Sequence, residues 1–316
     1  MVSFPYIIRA LLCERKRGCF SIRTVDLFCG CGGLSLGFQE EGAEIVGAFE
    51  KWPAAANCYR ENFQHPLFQE DLSDIESVIP IIRDLNPQLI IGGPPCQDFS
   101  SAGKREEKDR ADLTESFAQI VAAVHPQCFV MENVDRARLS NAYAKAREIL
   151  RHAGYGFTEI VLDASLCGTP QKRKRFICFG RLGEEDGFAL RQFQENMSDR
   201  PMTLRDYFGD ALGFTYYYRH PRNYSRRAIF SIDEPAPTMR GVNRPVPAGY
   251  TGHKNDPCPV TPDLHVLSTA ERALIQTFPA DFIWTGSKTD TEQMIGNAVP
   301  VNLARYVARI VRTYYD

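Results

Sequence analysis

Over its first 180 residues the chain alternates short apolar runs with amphipathic stretches, the rhythm of strand–helix–strand units. Strands are expected at Arg23–Phe28, Ile45–Phe49, Leu89–Gly92, Cys128–Glu132 and Arg175–Gly180. Helical periodicity lies between them, at Leu34–Glu41, Ala54–Asn62, Ile75–Leu85, Leu113–Val124 and Ala142–Ala153. Gly and Pro gather at the junctions, where strand ends and helix starts need them. This pattern predicts an α/β fold on a doubly wound sheet. After Gly180 the rhythm dissolves. Residues 181–264 are rich in Tyr and Pro, including Tyr216-Tyr217-Tyr218 and the stretch Glu234–Pro247, and read as a smaller, loop-rich lobe with short strands. Helices return at Thr269–Gln276 and, past a turn at Gly296–Pro300, at Val301–Tyr314.

Composition changes this picture little. Hydrophobic residues make up 44% and charged residues 24%, ordinary for a globular chain. No apolar run approaches the length that spans a bilayer. The stretch Tyr6-Ile7-Ile8 is broken by Arg9 and followed by a basic cluster, which does not read as a signal peptide. Ten scattered cysteines, with none at the two-residue spacing of zinc or redox motifs, suit the reduced thiols of an intracellular protein. A net charge of −2 argues against a nonspecific polyanion binder, but the charge is segregated. Between Arg219 and Lys254, seven basic residues face only Asp233 and Glu234, a local balance of +5 before histidines.

Four constellations carry candidate chemistry. In Asp26–Phe38 a strand ends in a glycine-rich turn that opens a helix, where backbone approaches a ligand closely and helix N–H groups point at it. Glu50 ends the next strand, where nucleotide-binding α/β folds place a carboxylate for ribose hydroxyls. Taken alone, loop and carboxylate also suit NAD or FAD, and Cys29 and Cys31 read as small buried residues rather than metal ligands. The second constellation, Gly92–Ser100, follows an apolar strand, and its paired glycines and prolines present Cys96 at a turn, unlike Cys128 within its apolar run. The third places Glu132 at a strand end, where desolvation would favour a protonated acid; a helix N-terminal cap is the alternative there. The fourth, Gln171–Phe176, puts Gln171, Arg173 and Arg175 on one face of an extended strand, where arginines could orient an anionic backbone or a base carbonyl; a solvated charge run is the alternative.

In order and spacing, these motifs (DLFCGCGGLSLGF, GGPPCQDFS, ENV, QKRKRF) and the later IGNAVP resemble those of the DNA cytosine-5 methyltransferases of prokaryotic restriction-modification systems. The resemblance runs from about Arg23 to Val311 and leaves 181–264 as its variable part. It implies a Rossmann-like methyltransferase sheet, with a catalytic domain of residues 1–180 plus 290–316 and a target-recognition domain of 181–289. The cofactor it implies is S-adenosyl-L-methionine, leaving as S-adenosyl-L-homocysteine, with no metal. The partner it implies is double-stranded DNA, with a cognate restriction endonuclease acting on the same site as a further candidate, in a cytoplasmic monomer without a membrane role.

The resemblance also assigns residues. Cys96 would add to cytosine C6 while Glu132 holds and protonates N3, with Arg175 on the flipped base and Arg173 in support. Phe28 would pack on adenine, and Gly30, Cys31, Gly32, Gly33 and Leu34 would face the methionine end. Glu50 would take the ribose hydroxyls, and Asp71, beside Leu72, the adenine amino group. Gly93, Pro95, Leu113, Asn297 and Val299 would complete the pocket. Many relatives place Trp directly after the ribose glutamate, whereas here Lys51 precedes Trp52, so either could cover the adenine. Residues 97–112 look like a lid, with Gln97 and Ser100 toward DNA. Gln171, Arg240, Asn243 and Arg244 are the candidates for DNA contact. A tRNA cytosine-5 methyltransferase would use the same catalytic residues. A dinucleotide oxidoreductase explains only the glycine loop and Glu50, and a noncatalytic DNA-binding module leaves Cys96 and Glu132 without a role.

Overall fold

The apolar runs of the first half assemble into one sheet. The computed structural model describes residues 21–95, 113–221, 223 and 225–315. Strands β1 (Ile22–Leu27), β2 (Ala43–Phe49), β3 (Leu67–Phe68), β4 (Leu89–Gly92), β5 (Cys128–Val134), β6 (Tyr155–Asp163) and β8 (Lys174–Leu182) pair in the order β3-β2-β1-β4-β5-β8-β6. The first five run parallel, and β8 is antiparallel to both β5 and β6. Every residue of β4, and Cys128–Asn133 of β5, is buried, as central strands covered on both faces should be.

Two apolar clusters explain the cover. Helices α1 (Gly33–Glu40) and α10 (Val301–Arg312) bring Leu34, Phe38, Leu303 and Val307 onto one face, with Ile22, Leu89 and Val130 from the strands. Helices α3 (Ile75–Asp84), α4 (Leu113–Val124) and α5 (Asn141–His152) bring Val78, Phe117, Val121 and Leu150 onto the other, against Val25, Ile90 and Phe129. The opposite destinations of Ile22 and Val25 and of Leu89 and Ile90 follow from the alternation of side chains along a strand. Chain order reverses between β1, which continues to β2, and β4, which continues to β5. The carboxyl ends of β1 and β4 therefore flank a crevice of the kind in which open α/β sheets bind ligands.

The second half is smaller and irregular. Strands β9 (Tyr216–Tyr218), β10 (Ile229–Ser231) and β12 (His265–Val266) form a three-stranded sheet. Leu204, Tyr217, Ile232, Met239, Leu267 and Ile275 cluster within this lobe. A short parallel pairing of β7 (Gln171–Lys172) with β11 (Ala236–Pro237) ties it to the main body. Packing contacts cross the positions 180 and 290. Ala189 and Phe193 of the segment after β8 join the cluster of Leu303 and Tyr306. Ala273, Phe278 and Phe282 rejoin the body beside Cys29 and Tyr59 before residue 290.

Strand β6 and helix α9 are among the elements that were not legible in the apolar pattern. Strand β6 fills the far edge as partner of β8. Helix α9 (Lys288–Asn297) is nearly all polar and is specified instead by its start, where Ser287 and Asp290 cap each other reciprocally. The same reciprocal cap, Ser268 with Glu271, opens helix α8 (Thr269–Ile275).

Candidate active site

The crevice is built from strand ends. At the end of β1 the chain turns through Phe28 (φ 60°), Gly30 (φ 56°) and Gly32 (φ 99°) into α1. A left-handed Phe is strained backbone, held here by the surrounding structure. Gly33 is required for another reason: a Cβ there would stand 2.3 Å from the Val299 carbonyl oxygen, so the loop before α10 lies directly on the start of α1. This contact joins Gly33 to Val299 across most of the chain's length. Glu50, just past β2, is half-buried and accepts from Gly30 N–H at 2.9 Å and from Trp52 N–H at 2.7 Å. Burial raises its pKa, opposed by those backbone bonds.

Around that turn the sequence-derived residues separate by environment. Lys51 is exposed and paired with Asp71, whose pKa that contact lowers. Trp52 is half-buried and packs beside Cys29, Cys31 and Tyr59. Leu72 is buried among Phe49 and Val78, in the core rather than at an opening. Leu113 starts α4, Asn297 ends α9 with an exposed side chain, and Pro95 is exposed beside the half-buried Gly93. Burial pushes the thiols of Cys29 and Cys31 well above their usual range, consistent with packing residues.

At the end of β5 lies the acid. The antiparallel register sets Glu132 opposite Ile177 and Val134 opposite Arg175, so Glu132 and Arg175 are diagonal neighbours on one face. Arg175 Nε reaches Glu132 Oε1 at 2.8 Å. Burial nevertheless raises the Glu132 pKa, against the opposing pull of Arg175 and Arg173. Next to it, Asn133 donates its amide to the Pro94 carbonyl at 3.0 Å and accepts from Val134 N–H at 2.8 Å. A Cβ on Gly93 would approach Glu132 Oε2 at 3.1 Å, so the Gly-Gly-Pro-Pro turn runs directly beside the carboxyl. The sequence reading named Asn133 only as part of the ENV motif and gave it no role of its own. Cys96, Gln97, Ser100 and the rest of the expected lid lie outside the described residues.

The two arginines of the QKRKRF strand have different surroundings. Arg173 is 1% exposed and donates to the carbonyls of Met239 (3.0 Å), Gly296 (3.0 Å) and Ala298 (3.1 Å). It thereby ties the arginine strand to the lobe and to the loop before α10, with its own pKa lowered by burial. Its contacts are those of a supporting residue. Gln171, read from the sequence as a DNA contact, is instead buried. Its amide donates to Gln276 Oε1 at 2.7 Å and its oxygen accepts from Met239 N–H at 2.9 Å. Both ends are engaged inside the protein, because β7 turns inward to pair with β11.

Of the lobe candidates, Arg244 is exposed and Asn243 half-buried. Both line a cleft of about 420 Å³ with Pro245, Thr269 and Lys288. Asn243 donates to the Leu267 carbonyl at 2.8 Å and to Glu292 at 3.2 Å. Arg240 donates to the His220 carbonyl. The His220 pKa is lowered by burial and then by the charges of Arg244, Arg240 and Arg219, so these cations converge on one region of the lobe. Among the described residues no helix is long and apolar enough to cross a membrane.

Comparison with known proteins agrees with this layout. The sequence profile of the C-5 cytosine-specific DNA methylases matches residues 22–312. The chain is 52% identical to the Type II methyltransferase M.HindV of Haemophilus influenzae, over 92% of this chain and 96% of that protein. It is also 52% identical to the Type II methyltransferase M.HgiDI of Herpetosiphon aurantiacus, over 93% and 96%. In fold it matches the crystal structure of the S. pombe Dnmt2 methyltransferase with a TM-score of 0.69, at 18% identity over 94% of this chain and all of that one. A putative E. coli prophage DNA modification methyltransferase matches with a TM-score of 0.68, at 22% identity over 93% and 99%.

Proposed function

The chain belongs to the C-5 cytosine-specific DNA methylase family and is a DNA (cytosine-5) methyltransferase, and we propose that it methylates a flipped cytosine in a short duplex sequence through a covalent bond from Cys96. The observation that carries this reading is the buried Glu132–Arg175 pair, placed beside Gly93 and the Asn133-held Pro94, two residues before Cys96.

Carbon 5 of cytosine is a poor nucleophile. Addition of the Cys96 thiolate to C6, with proton donation to N3, converts the ring to an enamine whose C5 is electron-rich. Burial raises the Glu132 pKa and so favours the neutral form, the form that can donate to N3. Arg175, in contact with that carboxyl, orients it and faces the base. After C5 accepts the methyl group and S-adenosyl-L-homocysteine is left behind, the C5 proton passes to water, the C6–S bond breaks to release the thiolate, and N3 returns its proton to Glu132, restoring the aromatic ring. A stacked base cannot reach a carboxyl buried at a strand end, so the nucleotide must leave the duplex.

S-adenosyl-L-methionine suits the crevice and would supply an electrophilic sulfonium methyl. Glu50, held by the backbone N–H groups of Gly30 and Trp52, presents a carboxylate for the ribose hydroxyls, and the close Gly33–Val299 approach leaves a backbone-lined turn for the methionine end. Trp52 is the flat apolar surface suited to adenine, because the Lys51 ammonium is drawn to Asp71. The lobe of β9, β10 and β12 would read the DNA, with Arg240, Asn243 and Arg244 at its basic face. The names of the two 52%-identical relatives suggest a restriction-modification role with an endonuclease acting on the same site.

Incubation with duplex DNA and labelled S-adenosylmethionine, followed by sequencing of 5-methylcytosine, tests the reading and yields the target site. Modification at one short sequence is expected. Preference for tRNA in direct competition would point to RNA instead.

A further inference from the structure

Segment 239–243 of the lobe is held by the main body mostly through its backbone. Met239 N–H donates to Gln171 Oε1, and its carbonyl accepts from Arg173, the residue two before Arg175. The next carbonyl, that of Arg240, accepts from Arg272 of α8. Asn243 donates to Glu292 of α9. Arg272 and Glu292 form an ion pair with each other, and they are only 3% and 4% exposed. Glu292 also accepts from the Thr269 hydroxyl at 2.8 Å. From the α9 side, a Cβ on Gly296 would stand 2.1 Å from Gly241 N and 2.4 Å from Arg240 C, so segment and helix end are in backbone contact.

Two charges sunk this deep cost desolvation, and an apolar pair of similar size is often no less stable. Buried ionic groups are best attested where they fix registry. Here the pair reaches a backbone carbonyl and an amide side chain of one short segment, while Arg173 and Gln171 hold its start to the strand that carries Arg175. We infer that the Arg272–Glu292 pair is a positioning element for DNA reading, setting the register of residues 240–244 against the catalytic strand. This rests on the proposed role of that segment in reading DNA. Hydrogen bonds to base edges depend on the placement of donors, and a displaced segment loses discrimination before it loses methyl transfer.

The test compares methylation of the mapped target with sites differing by one base pair, read by 5-methylcytosine sequencing under limiting enzyme. Arg272→Met with Glu292→Met removes both charges together and avoids stranding one of them. The expected result is a fall of about tenfold in the ratio of target to near-target methylation, within the range that one base pair commands. The dissociation constant for S-adenosylmethionine and the saturated rate on the target should stay close to wild type. Gly296→Ala, which pushes on the segment without touching either charge, should lower the same ratio and decides the matter where the double variant does not fold. A wild-type ratio in the folded variants overturns the inference. Arg240→Ala with Arg244→Ala serves as reference. An unchanged ratio there overturns the reading role itself; a lowered ratio there, with the positioning variants unchanged, overturns the positioning role alone.

Discussion

Arg175 Nε lies 2.8 Å from Glu132 Oε1, with the two side chains 13% and 10% exposed. The pair is set by register alone, since β8 begins where β5 ends and runs back along it. Burial acts on both partners, raising the pKa of the acid and lowering that of the base. The guanidinium stays charged, so the contact offsets part of the cost of burial and fixes the carboxyl in place.

Glu132→Gln keeps the size of the side chain and can still hydrogen-bond to cytosine N3, but it has no proton to give. Methyl transfer should fall by roughly 10²-fold or more, the usual worth of a positioned acid. Cofactor affinity, measured by calorimetry, should be unchanged. A variant within tenfold of wild type would remove Glu132 from the chemistry.

Arg173→Met should behave as a loss of structure. The carbonyls of Met239 and Gly296 lose their donor and that of Ala298 keeps only Gln276, so stability in urea should drop by about 3 kcal/mol. Since Gly296 and Ala298 flank Asn297, S-adenosylmethionine binding should weaken in parallel. Wild-type stability combined with abolished turnover would instead make Arg173 a catalytic residue.

Gly33→Ala probes the proposed cofactor crevice. The new methyl would meet the Val299 carbonyl oxygen at 2.3 Å, and neither backbone can yield without opening the turn. The dissociation constant for S-adenosylmethionine should rise about tenfold or more, the equivalent of 1.4 kcal/mol. Unchanged affinity would place the cofactor elsewhere.

Asp26 gives a pH signature. It is fully buried, accepts from the Ser35 hydroxyl at 2.6 Å, and its pKa is pushed by burial from 3.8 to about 7. A raised acid favours the fold below its unfolded pKa, and that benefit is lost as pH climbs through 4 to 7. The Ser35 hydroxyl meets Tyr59, which meets His65, whose pKa is pushed down to about 4. A depressed histidine works in the opposite sense: its contribution is complete above 6.5 and is lost as pH falls toward 4. Asp26→Asn isolates the first effect. The variant should be more stable than wild type at pH 8, by at most about 4 kcal/mol, with the difference shrinking toward pH 4. A difference independent of pH would show that Asp26 is ionised in the fold.

Much of this was legible in the sequence, for identifiable reasons. Parallel strands buried on both faces leave continuous apolar runs, so Leu89–Gly92 and Cys128–Glu132 could be read directly. The glycine turn and Glu50 follow from what strand ends must do near a ligand. The lobe resisted, because β9, β10 and β12 are two or three residues long and set by pairing rather than periodicity. The burial of Gln171 was not legible because alternation along a strand cannot tell which face meets solvent, and β7 turns inward. Arg272 and Glu292 are charged residues on helices, a pattern that ordinarily means a solvated face; only tertiary packing shows that they are buried.

The covalent step is tested most directly with duplex DNA carrying fluorine at C5 of the mapped target cytosine. Fluorine cannot leave as the proton does, so the thiolate cannot be expelled after methyl transfer and the enzyme stays attached. The covalent mechanism predicts a complex that survives denaturation and, after digestion, a nucleotide on the peptide containing Cys96, with neither complex nor methylation from Cys96→Ala. Attachment at another residue, or a Cys96→Ala enzyme that still produces 5-methylcytosine, would contradict it.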